Sequence, residues 1–288
     1  MFNLILVRYG EIALKSDYVR RQFEDILIRN IRSGLKSVGL DYKIRRDFGR
    51  IFLEGYDKKA ERVLKRVFGI VSFSAALEIK TDLEKIKTLS LNLAKKYIKK
   101  SDYFAVECRR TGNHNFSSQD VERQVGAEIV KKIGCKVDLT KPEKILGIDI
   151  RGDKTYIFSD YLKGPGGVPL GTAGKVVSVI ENFDGVIASW LFMKRGCMII
   201  PVFIKRSTKR YLGLLEKWHT GYGIKPYYLD KFSIKRIEKI ADENRVAALV
   251  DGDILGQVKK INSRYTIFSP LVGFSKNDLE KMREVIKR

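Results

Sequence analysis

The segment VIENFDGVIASW, residues 179–190, joins an apolar run to a helical pattern. In α/β proteins a turn between a strand and a helix is a favoured phosphate site, because N–H groups at the helix N-terminus point at the ligand. Phosphate-binding turns are usually rich in Gly and Ser. This turn instead contains Glu181, Asn182, Phe183 and Asp184. The segment is therefore a phosphate site, the remnant of one, or only a turn.

A second glycine-rich segment, GPGGVPLGTAGKV at residues 164–176, departs from the Walker A pattern. Pro169 stands where that pattern requires its first Gly, and Val176 stands where Ser or Thr should follow the Lys. The segment also precedes a strand and not a helix. We interpret residues 163–175 as a connector and as the clearest domain boundary.

The elements that must position the turn follow from hydrophobic periodicity. From residue 175 onward strands and helices alternate, including helices predicted at 184–195 and 207–218, and this indicates a parallel α/β sheet. Ligands of such sheets bind beyond the carboxyl ends of the strands. The first 75 residues have the order β-α-β-β-α-β, which is typical of a ferredoxin-like unit. Residues 76–165 contain further helices and strands.

The charge of the chain points to a polyanionic partner. The 288 residues include 56 Lys and Arg against 34 Asp and Glu, a net charge of +22 that is spread along the chain. A thermophile-like surface would raise both signs of charge and leave this imbalance unexplained. Nucleic acid is the commonest polyanionic partner. Without a membrane span of about 18 apolar residues or a secretion signal, the sequence predicts a cytoplasmic protein.

The cysteines and histidines do not suggest a metal site. Cys108, Cys135 and Cys197 lie far apart and form no CxxC pair, so neither a zinc site nor a redox dithiol is indicated. We expect the three thiols to be small buried hydrophobic groups. His114 and His219 are too few and too far apart to serve as metal ligands, and no metal site is predicted.

Six ordered motifs carry a resemblance to a known family. They are VRYGEIALKS at 7–16, NHNFSSQDVERQVGAEI at 113–129, KGPGGVPLGTAGKV at 163–176, ASWLFMKRGC at 188–197, ALVDGDILGQV at 248–258 and SPLVGFSKNDL at 269–279. In these motifs the chain resembles the tRNA 4-thiouridine synthetases. The resemblance implies an N-terminal ferredoxin-like domain at 1–75, a THUMP RNA-binding domain at 76–165 and a PP-loop ATP pyrophosphatase-like domain at 170–288.

The PP-loop of that family, SGGxDS, falls on residues 180–185, and only Asp184 matches it. Glu181 would place a carboxylate against the phosphates, and the loss of two glycines removes easy access to positive φ. Asn182 tolerates that geometry better than most residues. We expect Asp184 to act either as a retained catalytic residue or only as the N-cap of the helix.

The resemblance implies further site residues. The nucleotide-binding candidates are Ser178, Val179, Asp184, Phe203, Ile204, Lys231, Gly252 and Gln257, and Lys276 joins Asp184 as a catalytic candidate. ATP and magnesium are the implied cofactors, although the altered turn leaves ATP binding open. The RNA-binding candidates are Arg8, Arg45, Arg46, Arg50, Arg109, Arg110, Lys163, Lys205, Arg206, Lys209 and Arg210.

The sulfur chemistry of the family is not matched within the sequence. The acceptor cysteine of the family would fall after the last residue here, and no rhodanese segment is present, so we expect a separate sulfur carrier. Three hypotheses stay open. The chain is a tRNA-binding family member with reduced or lost adenylation, an active sulfurtransferase that adenylates tRNA, or a non-catalytic partner of another tRNA-modifying enzyme.

Overall fold

The computed structural model describes residues 2–47, 49–258 and 261–287. The strands are β1 (Leu4–Tyr9), β2 (Ile44–Asp47), β3 (Arg50–Glu54), β4 (Ile70–Lys80), β5 (Tyr103–Thr111), β6 (Lys136–Val137), β7 (Lys144–Arg151), β8 (Lys154–Phe158), β9 (Leu162–Lys163), β10 (Lys175–Ile180), β11 (Met198–Ile204), β12 (Tyr227–Leu229), β13 (Ala248–Val250) and β14 (Ile267–Phe268). The helices are α1 (Asp17–Lys36), α2 (Lys58–Leu64), α3 (Leu83–Tyr97), α4 (Ser118–Ile133), α5 (Phe183–Lys194), α6 (Leu212–Trp218), α7 (Ile234–Asn244) and α8 (Lys276–Lys287). Short 3-10 helices cover Glu11–Leu14 and Arg206–Tyr211.

The chain forms two compact units, each built from separate segments. The first unit contains Met1–Arg8, Tyr42–Lys58 and Ser72–Lys163, and the second contains Tyr9–Asp41, Lys59–Val71 and Gly164–Arg288. The predicted β-α-β-β-α-β order of the first segment is confirmed. Most residues of its strands lie in the first unit, whereas α1 and nearly all of α2 lie in the second. The boundaries of the three domains stay a prediction.

The first unit contains one continuous sheet. In the described ranges its strand order is β2-β3-β1-β4-β8-β7-β5-β6, and β9 pairs with β4. The eleven-residue β4 joins the strands of the ferredoxin-like pattern to those of the next segment, because its residues Ala76–Lys80 pair with β8. The strands of the ferredoxin-like pattern therefore continue into the sheet of the next segment. The sequence did not predict this continuity, because hydrophobic alternation identifies strands without identifying their partners.

This sheet curls tightly enough to bring distant strands together. The Phe52 and Tyr156 rings lie 4.7 Å apart, although β1 and β4 separate their strands. Three strand spacings in a flat sheet would amount to about 14 Å. The concave face encloses Leu4, Leu6, Phe52, Ala76, Tyr156 and Phe158. On the other face, apolar residues of α3 and α4 form a core with those of β5, β7 and β8.

The second unit contains the predicted parallel α/β sheet. Its strand order is β12-β11-β10-β13-β14, and every pair of neighbouring strands is parallel. Phe68, which follows α2, packs its ring 5.6 Å from Trp190 and 5.5 Å from Trp218. Burial of these three large rings stabilises the unit, because aromatic side chains contribute most of the apolar area of a core.

Some boundaries differ from those predicted. The helix expected at 207–218 is a 3-10 segment, Arg206–Tyr211, followed by the short α6. Thr208 interrupts the regular pattern, because its hydroxyl donates to the carbonyl oxygens of Ile204 at 3.0 Å and Lys205 at 2.8 Å. None of the described helices is both long and apolar enough to span a membrane.

Candidate functional site

The turn between β10 and α5 is capped by Asn182. The backbone of Asn182 is extended, with φ −155° and ψ −168°, and its Oδ1 accepts from the N–H groups of Asp184 at 2.8 Å and Gly185 at 3.3 Å. The prediction that Asp184 serves as the N-cap was therefore wrong. Asn182 takes that role because its side-chain oxygen reaches the first free N–H groups of the helix.

Asp184 is held by α8. Its Oδ1 lies 2.7 Å from Nη2 of Arg283, and only 16% of its side chain is exposed. The Arg283 guanidinium also lies 5.7 Å from the centre of the Phe183 ring. The residue that matches the family's loop thus takes part in an ion pair between the first turn of α5 and the last turns of α8.

Two glycines bring the strand ends and the helix N-terminus together. A Cβ added at Gly252, just after β13, would lie 2.3 Å from the backbone nitrogen of Gly185. A Cβ at Gly185 would lie 2.8 Å from the carbonyl oxygen of Val179. Any larger residue at either position would collide with backbone, so both glycines are required for this close approach.

A cavity of about 200 Å³, which we call the strand-end cavity, lies at this junction. Its walls are Val179, Glu181, Asn182, Gly185, Phe232, Asp251, Gly252, Asp253 and Ile261. The described lining residues include three carboxylates and no Lys or Arg, so phosphate groups inside would be repelled. The volume is below the range of about 300–1,000 Å³ that is usual for small-molecule sites. No group of three or more His, Cys, Asp or Glu within the described ranges could hold a metal ion.

The structure brings some of the predicted nucleotide-binding residues together. Ser178, Val179, Phe203 and Ile204 stand at the carboxyl ends of the neighbouring strands β10 and β11. Of the predicted residues, Val179 and Gly252 line the cavity. Ser178 is fully buried, and its hydroxyl bonds to that of Ser189 at 2.6 Å. Lys231, Gln257 and Lys276 are exposed and stand outside the cavity lining. All these binding roles stay predictions.

Arg8 must be removed from the RNA-binding candidates. It is 8% exposed, donates from Nη1 to Ser74 Oγ at 3.0 Å, and lies 4.5 Å and 4.7 Å from the Phe158 and Tyr161 ring centres. Burial lowers the pKa of Arg8 to about 10. A guanidinium enclosed in this way has little surface to offer a phosphate.

Two further arginines of the first unit are engaged inside the protein. Arg45 is paired with Glu78 and lies 4.2 Å from the Phe52 ring centre. The Nε of Arg50 lies 3.5 Å from Oδ2 of Asp149, a residue that is 2% exposed. Burial lowers the pKa of Arg50, and the carboxylate of Asp149 opposes that effect. Both side chains contribute to the curled sheet, which weakens the prediction that they contact RNA.

The other predicted RNA-binding positions are exposed. They are Arg46, Arg109, Arg110 and Lys163 in the first unit and Lys205, Arg206, Lys209 and Arg210 in the second. Two of them lie beside aromatic rings. Lys209 Nζ is 4.3 Å from the Tyr228 ring centre, and the Arg210 guanidinium is 4.9 Å from that of Tyr211. Tyr228 is exposed and Tyr211 is half-buried. A cation beside an exposed ring suits both phosphates and stacked bases.

The three cysteines are buried and unpaired, as predicted. Burial, with a smaller contribution from the nearby Glu122 carboxylate, raises the pKa of Cys108 to about 12. Burial also raises the pKa of Cys135 and of Cys197. Since the thiolate is the sulfur nucleophile, none of these three thiols is suited to that chemistry.

Sequence reasoning missed two residues of the site. Asp251 lines the cavity directly after β13, and the rule that ligands bind beyond strand ends would have indicated it. Arg283 carries no local signal, because it stands in the middle of an exposed helical pattern 99 residues from its partner Asp184.

Fold and sequence comparisons define the class of protein. The family model of the ThiI ferredoxin-like domain matches residues 4–74, and that of the THUMP domain matches residues 80–160. The crystal structure of PH1313 from Pyrococcus horikoshii Ot3 is similar, with 30% identity and a TM-score of 0.87 over 99% of this chain and all of that one. A 4-thiouridine synthetase solved in complex with RNA and ATP has 25% identity and a TM-score of 0.83, over 99% of this chain and 85% of that one.

Curated relatives give the family. A probable tRNA sulfurtransferase from Methanobrevibacter smithii is 33% identical over 99% of this chain and 86% of its own length. One from Thermococcus kodakarensis is 34% identical over 97% of this chain and 86% of its own length. The chain belongs to the tRNA sulfurtransferase family.

Proposed function

We propose that this protein binds tRNA in the cytoplasm and acts in tRNA thio-modification, and that its β10–α5 turn does not support adenylation. The curated relatives are probable tRNA sulfurtransferases, and the similar synthetase was solved with RNA and ATP bound. A net charge of +22, with eight predicted contact residues exposed, supports an RNA partner. The buried thiols support a separate sulfur carrier.

The observation that carries the loss of adenylation is the cap. The N–H groups of Asp184 and Gly185 stand where a helix N-terminus would bind phosphate, and the Asn182 side chain already occupies both. A phosphate would have to displace this oxygen and then lie beside Glu181. In the PP-loop of the family, by contrast, Gly leaves such donors free for the nucleotide.

The charge of Glu181 adds a second barrier. Two unit charges about 4 Å apart repel by about 4 kcal/mol at an effective dielectric constant of 20. That free energy corresponds to nearly a thousandfold in affinity. A magnesium ion that bridges carboxylate and phosphate would remove this repulsion. It would leave the Asn182 oxygen on the N–H groups of Asp184 and Gly185, so the first barrier would remain.

Adenylation of tRNA with ATP is the second candidate function. It is favoured by the strand-end cavity beside Val179 and Gly252, which stands where parallel sheets bind nucleotides. Backbone groups at the ends of β10 and β11 could contact the nucleotide whatever side chains these positions carry. A role as the non-catalytic partner of another modifying enzyme is the third candidate, and co-purification with such an enzyme would favour it.

Calorimetric titration with ATP separates the first two candidates. We expect the unaltered protein to bind ATP weakly or not at all, with and without magnesium, and to release no pyrophosphate in the presence of tRNA. The double variant Glu181→Gly/Asn182→Gly should gain ATP binding, because it removes both the charge and the cap oxygen. The matched control is Glu181→Gln, which removes the charge and retains the cap. Micromolar binding and pyrophosphate release by the unaltered protein would establish the adenylating enzyme instead.

The tRNA partner is tested by salt dependence. Six to ten phosphate contacts should lower affinity by about 10³–10⁵ between 50 and 200 mM salt, by analogy with duplex DNA. Arg109→Ala should weaken binding to all tRNAs alike, since phosphate contacts carry no sequence information. Lys132→Ala, on the surface of α4, is the control and should change little. Affinity that is independent of salt would rule out this mode of binding.

A further inference from the structure

The first unit contains a groove of about 590 Å³ between β5 and α4. We call it the β5–α4 groove. Residues 104–106 of β5 line one side, α4 lines another, and Val137 and Leu139 of the segment after α4 line the third. The groove shares no described lining residue with the strand-end cavity, so the two are separate features of the surface.

Exposed apolar side chains gather along this groove. Leu139 is 80% exposed and Val137 is 52% exposed, and Val130 of α4 joins them as an exposed lining residue. Single exposed apolar residues are normal on a protein, whereas a group of them around one groove indicates an interaction surface. RNA would gain little from these aliphatic walls, because unpaired bases bind by stacking on aromatic rings and by hydrogen bonds. The walls therefore favour a protein partner.

The edge of β5 beside the groove lacks a partner strand after Phe104. In the described ranges β6 pairs only with Tyr103 and Phe104, whereas β7 on the other side pairs with β5 as far as Thr111. The Phe104 carbonyl accepts from the Asp138 N–H at 3.0 Å on the groove side. Since alternate residues of a strand turn their backbone groups to the same side, Val106 presents its N–H and C=O to the groove that it lines.

The opposite end of the groove is closed to pairing. Glu122 Oε1 accepts from the Cys108 N–H at 2.8 Å, so this edge donor is already satisfied. The Arg123 guanidinium there lies 2.5 Å from Asp120. Side chains that block edge groups prevent long strand pairing. An added segment can therefore pair only over a short edge at Val106, and it must obtain the rest of its affinity from the walls.

Lysines surround the end of the groove where the exposed apolar residues lie. Lys131 lines the groove, and Lys136 and Lys141 flank residues 137–139. Neither Lys131 nor Lys141 has an ion-pair partner in the part of the chain that the structure describes. The carboxylate of Asp138 accepts from two backbone N–H groups, at 2.8 and 3.0 Å. This end thus has an excess of positive charge, which favours carboxylates in the partner.

We propose that the β5–α4 groove docks a short, extended and acidic segment of a partner protein. An apolar side chain of the segment packs between Val130 and Leu139, and its backbone pairs with Val106. Its carboxylates lie beside Lys131 and Lys141. Extended segments bind strand edges in this way, with main-chain hydrogen bonds for affinity and pockets for alternate side chains for specificity. The proposal goes beyond the proposed function, because it concerns a protein partner and does not depend on tRNA binding.

The test uses a phage library of short random peptides, panned against the full chain. The enriched peptides are then synthesised, labelled and measured by fluorescence anisotropy. We expect them to alternate apolar residues with Asp or Glu, because successive side chains of an extended segment point to opposite sides. Enrichment of no peptide, or of basic peptides, would contradict the proposal.

Leu139→Ser and Lys131→Glu test the two kinds of contact. Each should weaken an enriched peptide about tenfold or more, because the first removes a buried apolar contact and the second introduces a like charge. Leu14→Ser and Lys85→Glu are the matched controls, since both residues are exposed and neither lines the groove. All four positions are exposed, so the variants should melt like the unaltered protein. Equal peptide affinity in all four variants would overturn the assignment.

Single-stranded RNA and a second copy of the chain are the other occupants to test. If a short oligouridylate depends on Leu139 and Lys131 while no peptide does, the groove is an RNA site and the proposal is wrong. If sedimentation shows a dimer that Leu139→Ser dissociates, the groove is an interface between copies and the proposal is again wrong.

Two outcomes separate this proposal from the proposed function. If whole tRNA does not bind while an acidic peptide depends on Leu139 and Lys131, the proposed function fails and the docking surface holds. If tRNA binds and the affinity of every enriched peptide is unchanged by the groove variants, the docking surface alone is wrong.

Discussion

Oδ1 of Asp184, in the first turn of α5, lies 2.7 Å from Nη2 of Arg283 in α8. An acidic residue at a helix N-terminus is favourable in itself, because it faces the positive end of the helix dipole. Here the carboxylate also connects two helices, and the Arg283 guanidinium lies 5.7 Å from the centre of the Phe183 ring. The residue that resembles a catalytic loop position thus contributes to packing.

The Asp184–Arg283 pair should have a measurable but small coupling energy. Because 41% of the Arg283 side chain is exposed, we expect about 0.5–1 kcal/mol. A double-mutant cycle with Asp184→Asn and Arg283→Met, measured by urea unfolding, gives this value directly. Asparagine and methionine remove the two charges and keep side chains of similar length, so the coupling reports mainly the ion pair. Additive effects of the two substitutions would show that the pair does not stabilise the fold.

Gly252→Ala should destabilise the second unit by about 1–3 kcal/mol, because the new methyl group would overlap the backbone of Gly185. Gly213→Ala is the matched control. Gly213 lies in α6 with open space around its Cα, so alanine there should stabilise the protein by about 0.5 kcal/mol. Thermal unfolding of both variants measures the difference, and equal effects would contradict the close approach.

The three thiols should resist modification in the folded protein. Cys108, Cys135 and Cys197 are between 4% and 9% exposed, and burial raises the pKa of each. At pH 8 we expect a disulfide reagent such as DTNB to react with none of them, and with all three after unfolding in guanidinium. Rapid modification of one cysteine in the folded state would identify an accessible thiolate and reopen its role in sulfur transfer.

Stability should fall at mildly acidic pH because of His219. Burial lowers the pKa of His219 below its ordinary value of 6.5, and the hydrogen bond to the Tyr222 carbonyl opposes this effect. The unfolded chain therefore takes up a proton before the folded one does. The contribution of the neutral ring is present above pH 6.5 and is lost as pH falls through the folded pKa.

Urea unfolding of the unaltered protein and of His219→Gln between pH 5 and 8 tests this sign. The free energy of unfolding of the unaltered protein should decrease more steeply toward pH 5 than that of His219→Gln. Carboxylates titrate in both proteins, so their effect cancels when the two curves are subtracted. Parallel curves would show that His219 is not responsible.

The sequence predicted the elements of the fold well and their partners poorly. Hydrophobic periodicity is local, so it indicated the ferredoxin-like order and the parallel strands from residue 175 onward. It contained nothing about the curl that places Phe52 against Tyr156, which depends on pairing across four strands. The interleaving of the segments into two units is equally non-local.

For the candidate site, the sequence alone determined that the turn lacks the glycines and serines of a phosphate loop, and that the chain carries a large positive charge. Only the tertiary structure decided which side chains remain available to bind a ligand. It buries Arg8, makes Asn182 the cap and joins Asp184 to Arg283. The physical reason is that composition fixes the number of charges, whereas burial and pairing depend on contacts between residues far apart in the chain.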